Sequence, residues 1–213
     1  MKKSIVICSL ALLGGSSLAM ANDTMKDWFI GGEFGGMGIK HKLTITGSGT
    51  VGGTPFSGSV SASERANTTF ESIKVGKYFD HGRAYGSLGI QNKKDGFSSY
   101  GFGIGYDYLF KTSTKVTPFL GASLGYTKAK IDIEEYKLLN INKPSGFTYG
   151  VGGGILYPIS NNLDLEMGVR YVATSIKDDV SGTYNDGADT ITGKIKIEAK
   201  DYTQYYIGLN YRF

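Results

Sequence analysis

Cysteine, proline and long apolar runs are scarce in this sequence, and each shortage excludes a class of protein. The single cysteine is Cys8, near the start of the chain. It lies in an export signal described below, so we expect the mature chain to have no disulfide and no cysteine-based metal site. No segment after residue 21 approaches 18 uninterrupted apolar residues, which excludes a helical membrane protein. The formal net charge of +4 is too small to indicate nucleic-acid binding.

Glycine and aromatic residues, in contrast, are abundant. The chain has 32 glycines, 15 tyrosines and 11 phenylalanines against four prolines. This composition disfavours helices and suits strands. Both residue types recur along nearly the whole chain, without a linker or low-complexity spacer between blocks. We therefore predict a single all-β domain.

The first 21 residues have the features of an export signal. Lys2 and Lys3 form a positively charged start, residues 5–13 form an apolar run, and Ala19-Met20-Ala21 matches a cleavage site. The apolar run is about nine residues long, well short of the roughly 20 that a membrane-spanning helix needs. We predict cleavage after residue 21, which leaves residues 22–213 as one mature domain.

Period-two alternation identifies the strands. In residues 99–110, apolar side chains alternate with glycine, serine and aspartate, and the apolar set is Tyr100, Phe102, Ile104, Tyr106, Tyr108 and Phe110. Such alternation is typical of a strand with two chemically different faces. The other predicted strands cover residues 28–40, 69–79, 84–91, 116–128, 147–159, 163–171 and 204–213. The total is eight strands.

The connections alternate between short and mostly long ones. Short polar turns occupy residues 80–83, 111–115 and 160–162. The other set comprises residues 41–68, 131–146 and 177–199, together with the brief connection at 92–96. In outer-membrane barrels short turns face the periplasm and long loops face outside, so both termini are predicted to lie in the periplasm.

A soluble eight-stranded barrel of the lipocalin type is the structural alternative. It would have to bury Asp107, Glu166 and Arg170 in a dry core, at a cost of several kcal/mol for each unpaired ion. In a membrane barrel the aromatic faces contact lipid, the charges meet in a polar lumen, and closure pairs every strand edge. We therefore predict a closed, antiparallel, eight-stranded up-and-down transmembrane β-barrel.

The predicted strands resemble those of small outer-membrane β-barrels of the OmpA, OmpX and OmpW types. Residues 118–126, Pro-Phe-Leu-Gly-Ala-Ser-Leu-Gly-Tyr, are similar to a recurring strand of that porin-like family. Gly208, Tyr211 and Phe213 match its C-terminal signal, which the barrel-assembly machinery reads. The resemblance covers residues 22–213. It implies a Gram-negative outer-membrane location in contact with lipid and lipopolysaccharide, but neither motif is specific for an activity.

Six charged residues fall on the predicted inward face: Glu33, Lys74, Asp107, Glu166, Arg170 and Arg212. They have two interpretations. They line a polar conduit and set its ion preference, or they form a salt-bridge network that plugs the lumen. Side chains just fill the interior of an eight-stranded barrel, which favours the plug, with Glu33 and Lys74 as neighbours on adjacent strands.

Catalysis and metal binding have little support in the sequence. Outer-membrane enzymes that modify lipid A or cleave peptides use a histidine with an acid or a serine. His81 falls in a predicted turn, and His41 has no serine and aspartate at a defined spacing, so an activated nucleophile is unsupported. Clustered carboxylates can bind calcium, but the spacing of the four aspartates in the last long loop fits no known calcium-binding loop. These aspartates are Asp178, Asp179, Asp186 and Asp189. We predict no catalytic residue, metal or cofactor.

The remaining features concern the surface. Residues 41–68, rich in glycine, serine and threonine, are interpreted either as a contact for a host or phage surface or as flexible coil. Aromatic residues near strand ends are predicted to form girdles at the membrane boundaries: Trp28, Tyr100, Phe110 and Tyr157. The favoured function is a non-enzymatic barrel that stabilises the envelope or presents its loops for interaction. A small channel for ions or solutes is the alternative, followed by a lipid-modifying enzyme or protease.

Overall fold

The computed structural model describes residues 27–94, 96–132, 144–187 and 189–213, so the predicted export signal lies outside the described residues. The described residues form nine strands: β1 Trp28–Val51, β2 Thr54–Phe79, β3 Gly82–Lys94, β4 Phe97–Leu109, β5 Thr117–Ile131, β6 Ser145–Pro158, β7 Leu163–Thr174, β8 Lys177–Asn185 and β9 Thr190–Arg212. None of them forms a helix long and apolar enough to cross a membrane.

Eight of the nine strands close into a ring. Strands β1 to β7 pair antiparallel in chain order, β7 pairs with β9, and β9 pairs back with β1. The closing seam runs from Phe29 opposite Arg212 to Lys40 opposite Asp201. The predicted closed antiparallel eight-stranded barrel is therefore confirmed. Closure leaves no unpaired strand edge in the wall, as a lipid environment requires.

The two faces of the wall differ as the alternation predicted. Phe102 and Ile104 are 62% and 66% exposed on the outside, whereas Glu166 is completely buried inside. The inside also holds most of the glycines that limit crowding. At Gly105, for example, an added Cβ would lie 2.5 Å from the ring of Tyr85. Large apolar side chains therefore cover the outside, and small or charged ones fill the lumen.

The short turns at one end of the barrel lie where the sequence predicts them, except that one turn is shorter than predicted. Strands β2 and β3, β4 and β5, and β6 and β7 are joined by short connections. The turn predicted at 80–83 is shorter than expected, because β3 begins at Gly82. Arg83 is therefore part of a strand and points into the lumen, where it is fully buried.

The largest difference from the sequence prediction lies at the other end. Residues 41–68 and 177–199, predicted as long polar loops, are mostly regular strand. Residues 41–51 pair with residues 54–64 on one side, and residues 41–50 pair with residues 190–199 on the other. Strand β8 adds a fourth strand beside β9. We call this four-stranded extension, residues 41–64, 177–185 and 190–199, the arm.

A tight turn makes the arm possible. Gly52 and Gly53 connect β1 to β2 with φ angles of 59° and 80°. Two consecutive positive φ values are the geometry of a type I′ hairpin, which matches the twist of the flanking strands. The backbone N–H of Gly52 also donates a hydrogen bond of 2.7 Å to Oδ1 of Asp189, which ties the tips of the two hairpins together.

Candidate functional site

The centre of the lumen contains a buried ion cluster built from strands on opposite sides of the barrel. Lys74 on β2 lies 2.7 Å from Oε1 of Glu33 on β1 and 2.9 Å from Oε2 of Glu166 on β7. Ser72 donates a further hydrogen bond of 2.7 Å to Glu33. Because β2 and β7 are not neighbours in the ring, the contact from Lys74 to Glu166 crosses the lumen.

Arg83 extends this cluster toward the short-turn end. Its guanidinium lies 2.7 Å from Oδ2 of Asp107 and 2.9 Å from Oε1 of Glu166. Four aromatic rings surround the same guanidinium with their centroids 5.1 to 6.0 Å away: Phe29, Tyr78, Tyr85 and Phe119. Rings at this distance favour a desolvated cation. Arg83 is thus a central residue of the cluster. The sequence prediction missed it because it assigned residues 80–83 to a turn, although Arg83 lies two residues before Tyr85 and therefore on the same inward face of β3.

Arg170 forms the side of the ion cluster that faces the arm. It donates hydrogen bonds of 3.2 Å to Glu33 and to Gln204, and it stacks over the ring of Tyr206 at 4.9 Å. Tyr206 and Asn210 in turn donate to Glu166 at 3.1 and 2.8 Å. Three carboxylates therefore face three cations, with neutral donors completing the coordination of Glu166.

Five of the six charged residues predicted on the inward face meet in this cluster, and the sixth lies apart. Arg212 pairs with Asp164, with Nε 3.1 Å from Oδ2. Tyr78 donates to the same carboxylate at 3.4 Å. Asp164 shares the inward parity of Glu166 but was not predicted as a partner, because alternation assigns each residue to a face without giving the register between neighbouring strands.

The voids in the lumen are separated by the ion cluster. A cavity of about 150 Å³ lies on the arm side, with Lys74 and Arg170 at its floor and hydroxyl groups such as Ser99 and Thr148 in its walls. On the other side, a void of about 10 Å³ is lined by Arg170, Asp107 and Phe119. A water molecule needs at least that much space. The smaller void therefore has room for about one water molecule.

The histidines lie away from this cluster. His41 stacks on Phe97 with ring centroids 5.4 Å apart, at the junction of barrel and arm. Burial lowers the pKa of His41, and the charge of Glu64, which lies opposite it on β2, partly opposes this shift. His81 lies beside Tyr108 with ring centroids 6.3 Å apart.

The aspartates of the arm do not converge. Asp178 and Asp179 point to opposite faces of β8, as consecutive strand residues must. Asp179 pairs with Lys194 at 2.7 Å, and the hydrogen bond from Lys194 lowers the pKa of Asp179. Asp189 accepts from Gly52 at the tip. Within the described ranges, no group of three acidic, histidine or cysteine side chains is placed to hold a metal ion.

The aromatic residues predicted at the membrane boundaries lie on the outside of the wall. Trp28, Tyr100, Phe110 and Tyr157 are 41% to 60% exposed. At the C-terminus, Tyr211 is also exposed, and the backbone N–H of Phe213 donates to the carbonyl of Trp28 at 2.9 Å. A Cβ added to Gly208 would lie 2.8 Å from the carbonyl oxygen of Gly32. The close approach of the β1 backbone therefore favours glycine at position 208, independently of the predicted assembly signal.

Comparison with protein families gives a match to a family of porin proteins. Residues 68–188, more than half of the chain, match the model described as Opacity family porin protein. This stretch runs from β2 through β8 and includes Lys74, Arg83, Asp107, Glu166 and Arg170. No curated protein matches the sequence.

Comparison with solved structures gives small barrels. The crystal structure of Neisserial surface protein A matches with a TM-score of 0.53 at 17% identity, covering 83% of this chain and 97% of its own. Outer membrane protein OprG from Pseudomonas aeruginosa matches with a TM-score of 0.45 at 15% identity, covering 85% of this chain and 96% of its own. Outer membrane protein H from P. aeruginosa matches with a TM-score of 0.47 at 23% identity, covering 81% and 99%. The first of these supports the barrel fold.

Proposed function

The chain belongs to the Opacity family of porin proteins, and from this premise we propose that it is a non-enzymatic outer-membrane barrel that displays an arm for surface interaction. The observation that carries this proposal is the contrast between its two ends. The lumen is filled by a charge-balanced cluster, whereas the arm is an ordered sheet that projects beyond the barrel. This contrast favours a function at the external surface over transport of solutes through the lumen.

The closed lumen argues against the channel alternative. Ions that cross a pore need a water-lined path with weak, successive binding sites. Lys74 and Glu166 are 1% and 0% exposed and directly paired, so neither offers a free charge to a passing ion. A channel would require this cluster to come apart, at the cost of leaving unpaired charges in the barrel interior.

The histidines support a non-enzymatic role. An activated nucleophile needs a base that is within hydrogen-bond reach of it and oriented by a third group. The neighbours of the two histidines are aromatic rings, since His41 stacks on Phe97 and His81 lies in a turn beside Tyr108.

Export and insertion complete the proposal. The export signal at residues 1–21 is cleaved during secretion, and Gly208, Tyr211 and Phe213 are read by the barrel-assembly machinery. The inserted wall contacts outer-membrane lipid and lipopolysaccharide through its exposed aromatic residues, with both termini in the periplasm. No cofactor or nucleic acid takes part.

Planar-bilayer recording tests the closed lumen. Refolded protein, verified by a shift in gel mobility on boiling, is expected to insert without producing single-channel steps, because the ion cluster blocks the water path. The exposed variant Lys93→Ala is the control and should be equally silent. Reproducible steps from the wild type that change in size in Arg170→Ala would contradict the proposal.

A further inference from the structure

The cavity on the arm side of the ion cluster has two chemically different walls. One wall belongs to β3, β4 and β5 and consists of glycine and small hydroxyl residues: Ser87, Gly89, Gly101, Ser123, Gly125 and Thr127. In the ring of eight strands, β3, β4 and β5 stand opposite β7, β9 and β1. Because the side chains of this wall are small, they leave open the cavity of about 150 Å³.

Hydroxyl groups of this wall are available to a ligand. Ser99 is engaged, because it donates a hydrogen bond of 2.8 Å to Gln91. Ser87, Ser123 and Thr127 are half-buried, and within the described ranges their hydroxyls have no hydrogen-bond partner in the protein. A polar group inside a protein is more stable when it is hydrogen-bonded. These three hydroxyls, which we call the polar strip, therefore favour a bound group that can hydrogen-bond to them.

The facing wall of the cavity is apolar. Met37 and Ile39 on β1, Phe70 on β2 and Val172 on β7 border the cavity, and each of them is at most 8% exposed. A buried water molecule makes about three hydrogen bonds, and these side chains offer none. Water in this half of the cavity is therefore weakly held, and its displacement by an apolar group is favourable.

The floor of the cavity supplies hydrogen-bond donors but no net charge. Arg170 has 17% of its side chain exposed there, against 1% for Lys74 and Glu33. Two of its N–H groups donate to Glu33 and Gln204, and a guanidinium has further donors. The ion cluster as a whole pairs three carboxylates with three cations. A bound anion would therefore lack a counter-charge, so a neutral ligand with an acceptor oxygen fits best.

We propose that this cavity binds a neutral phenol of a single ring, with the ring against the apolar wall and the hydroxyl on the polar strip. An apolar cavity of about 150 Å³ accommodates benzene, so one ring with a hydroxyl group matches the volume. The phenolic oxygen accepts a hydrogen bond from Arg170, and its O–H donates to a hydroxyl of the polar strip. The flat backbone at Gly89 and Gly101 covers the other face of the ring.

The ligand enters from the end of the barrel that carries the arm. The cavity extends to His41, Phe97 and Ala199 at the junction of barrel and arm, and His41 and Ala199 are half-buried there. On the other side of the ion cluster lies a void of about 10 Å³, which is too small for a ring. The cavity is therefore a blind binding site and not a section of a channel, and it adds a ligand to the proposed surface role.

Fluorine NMR of the refolded protein in phosphatidylcholine nanodiscs tests the inference with three probes of similar size. 4-Fluorophenol is neutral and has the hydroxyl, fluorobenzene lacks the hydroxyl, and 4-fluorobenzoate is an anion. Line broadening beyond that caused by empty nanodiscs measures binding to the protein. 4-Fluorophenol is expected to bind saturably with a Kd on the order of 0.1–1 mM, because so small a ligand buries little surface. Fluorobenzene should bind several-fold more weakly, and 4-fluorobenzoate should show no saturable binding.

Matched glycine variants on β3 locate the site. Gly89 lines the cavity, and a Cβ there would lie 3.5 Å from its nearest neighbour. Gly89→Val therefore fills the space without a backbone clash and should abolish binding of 4-fluorophenol. Gly86 lies opposite Val75 on the lipid face, and a Cβ there would lie 4.0 Å from its nearest neighbour. Gly86→Val should bind 4-fluorophenol like the wild type, and the boiling-dependent gel shift verifies that both variants fold.

Removal of two hydroxyls from β5 tests the polar strip. Ser123→Ala combined with Thr127→Val should weaken binding of 4-fluorophenol by roughly two- to ten-fold. Binding of fluorobenzene should stay unchanged, because fluorobenzene makes no hydrogen bond to these hydroxyls. An equal loss of affinity for both probes would contradict the role assigned to the polar strip.

Three results would overturn the inference: no saturable binding of 4-fluorophenol by the wild type, wild-type binding by Gly89→Val, or tighter binding of 4-fluorobenzoate than of 4-fluorophenol. The last would identify the cavity as a site for anions. Conductance is a separate measurement. A conducting wild type would contradict the closed lumen of the proposed function and leave the binding results as they stand.

Discussion

At the scale of single residues, the lumen is organised around Glu166. Lys74, Arg83, Tyr206 and Asn210 reach this carboxylate from three other strands. Alternation in the sequence predicts that Glu166 points inward, but it does not identify these partners. Lys74 and Glu166 are 92 positions apart, and their contact depends on how the ring closes. Arg83 was missed because Asp80-His81-Gly82 has the composition of a turn and conceals the first residues of β3.

Removing one member of the cluster should strongly destabilise the fold. In Glu166→Ala, Lys74 and Arg83 each lose a buried partner, and breaking a buried ion pair from one side costs about 3–5 kcal/mol. Urea unfolding of the refolded barrel measures this loss. The matched change in an exposed pair, Lys93→Ala beside Asp132, should cost less than about 1 kcal/mol. Equal losses in the two variants would show that the cluster does not stabilise the barrel.

At the scale of elements, the barrel strands were predictable and the arm was not. Strand β4 was recognisable because aromatic and glycine residues alternate strictly. Residues 54–64 alternate too, but between serine and small apolar residues, so their low hydrophobicity resembles coil. A period-two pattern was nevertheless available in residues 190–198, where Ile191, Ile195 and Ile197 alternate with threonine and lysine. The glycine, serine and threonine content of residues 41–68 favours coil, so the sequence predicts loops where the structure has the arm.

The turn at the tip should control the order of the arm. Gly53 has a φ angle of 80°, and a β-branched side chain in such a conformation costs on the order of 1–3 kcal/mol. Gly53→Val should therefore make the arm more sensitive to protease while the barrel stays intact. Gly47→Val adds the same side chain in open space and should be as resistant as the wild type. Cleavage between residues 41 and 66 is measured by mass spectrometry, and equal sensitivity of both variants would contradict the role assigned to the turn.

At the scale of the whole molecule, the sequence determines which face of each strand meets lipid and which meets the lumen. That choice follows from chemistry that repeats along every strand of the wall, so the fold class, the eight strands of the wall and the position of the short turns were predictable, whereas the ninth strand, β8, was not. What alternation leaves undetermined is how far strands extend past the membrane. In β1 and β2 the same period of two continues from the wall into the arm, and in β9 a bulge shifts it by one residue, because Lys40 lies opposite Asp201 but His41 lies opposite Ala199.

The central claim is that the apolar face of the wall contacts lipid, and a nitroxide scan of residues 99–106 by electron paramagnetic resonance tests it most directly. The sequence has no cysteine after residue 21, so single cysteines can be introduced and labelled one at a time in the refolded mature chain. Accessibility to oxygen, which concentrates in lipid, is predicted to peak at positions 102, 104 and 106 and to be low at position 99, where the native serine already faces the lumen. An oxygen maximum at 99 together with minima at 102 and 104 would contradict the account.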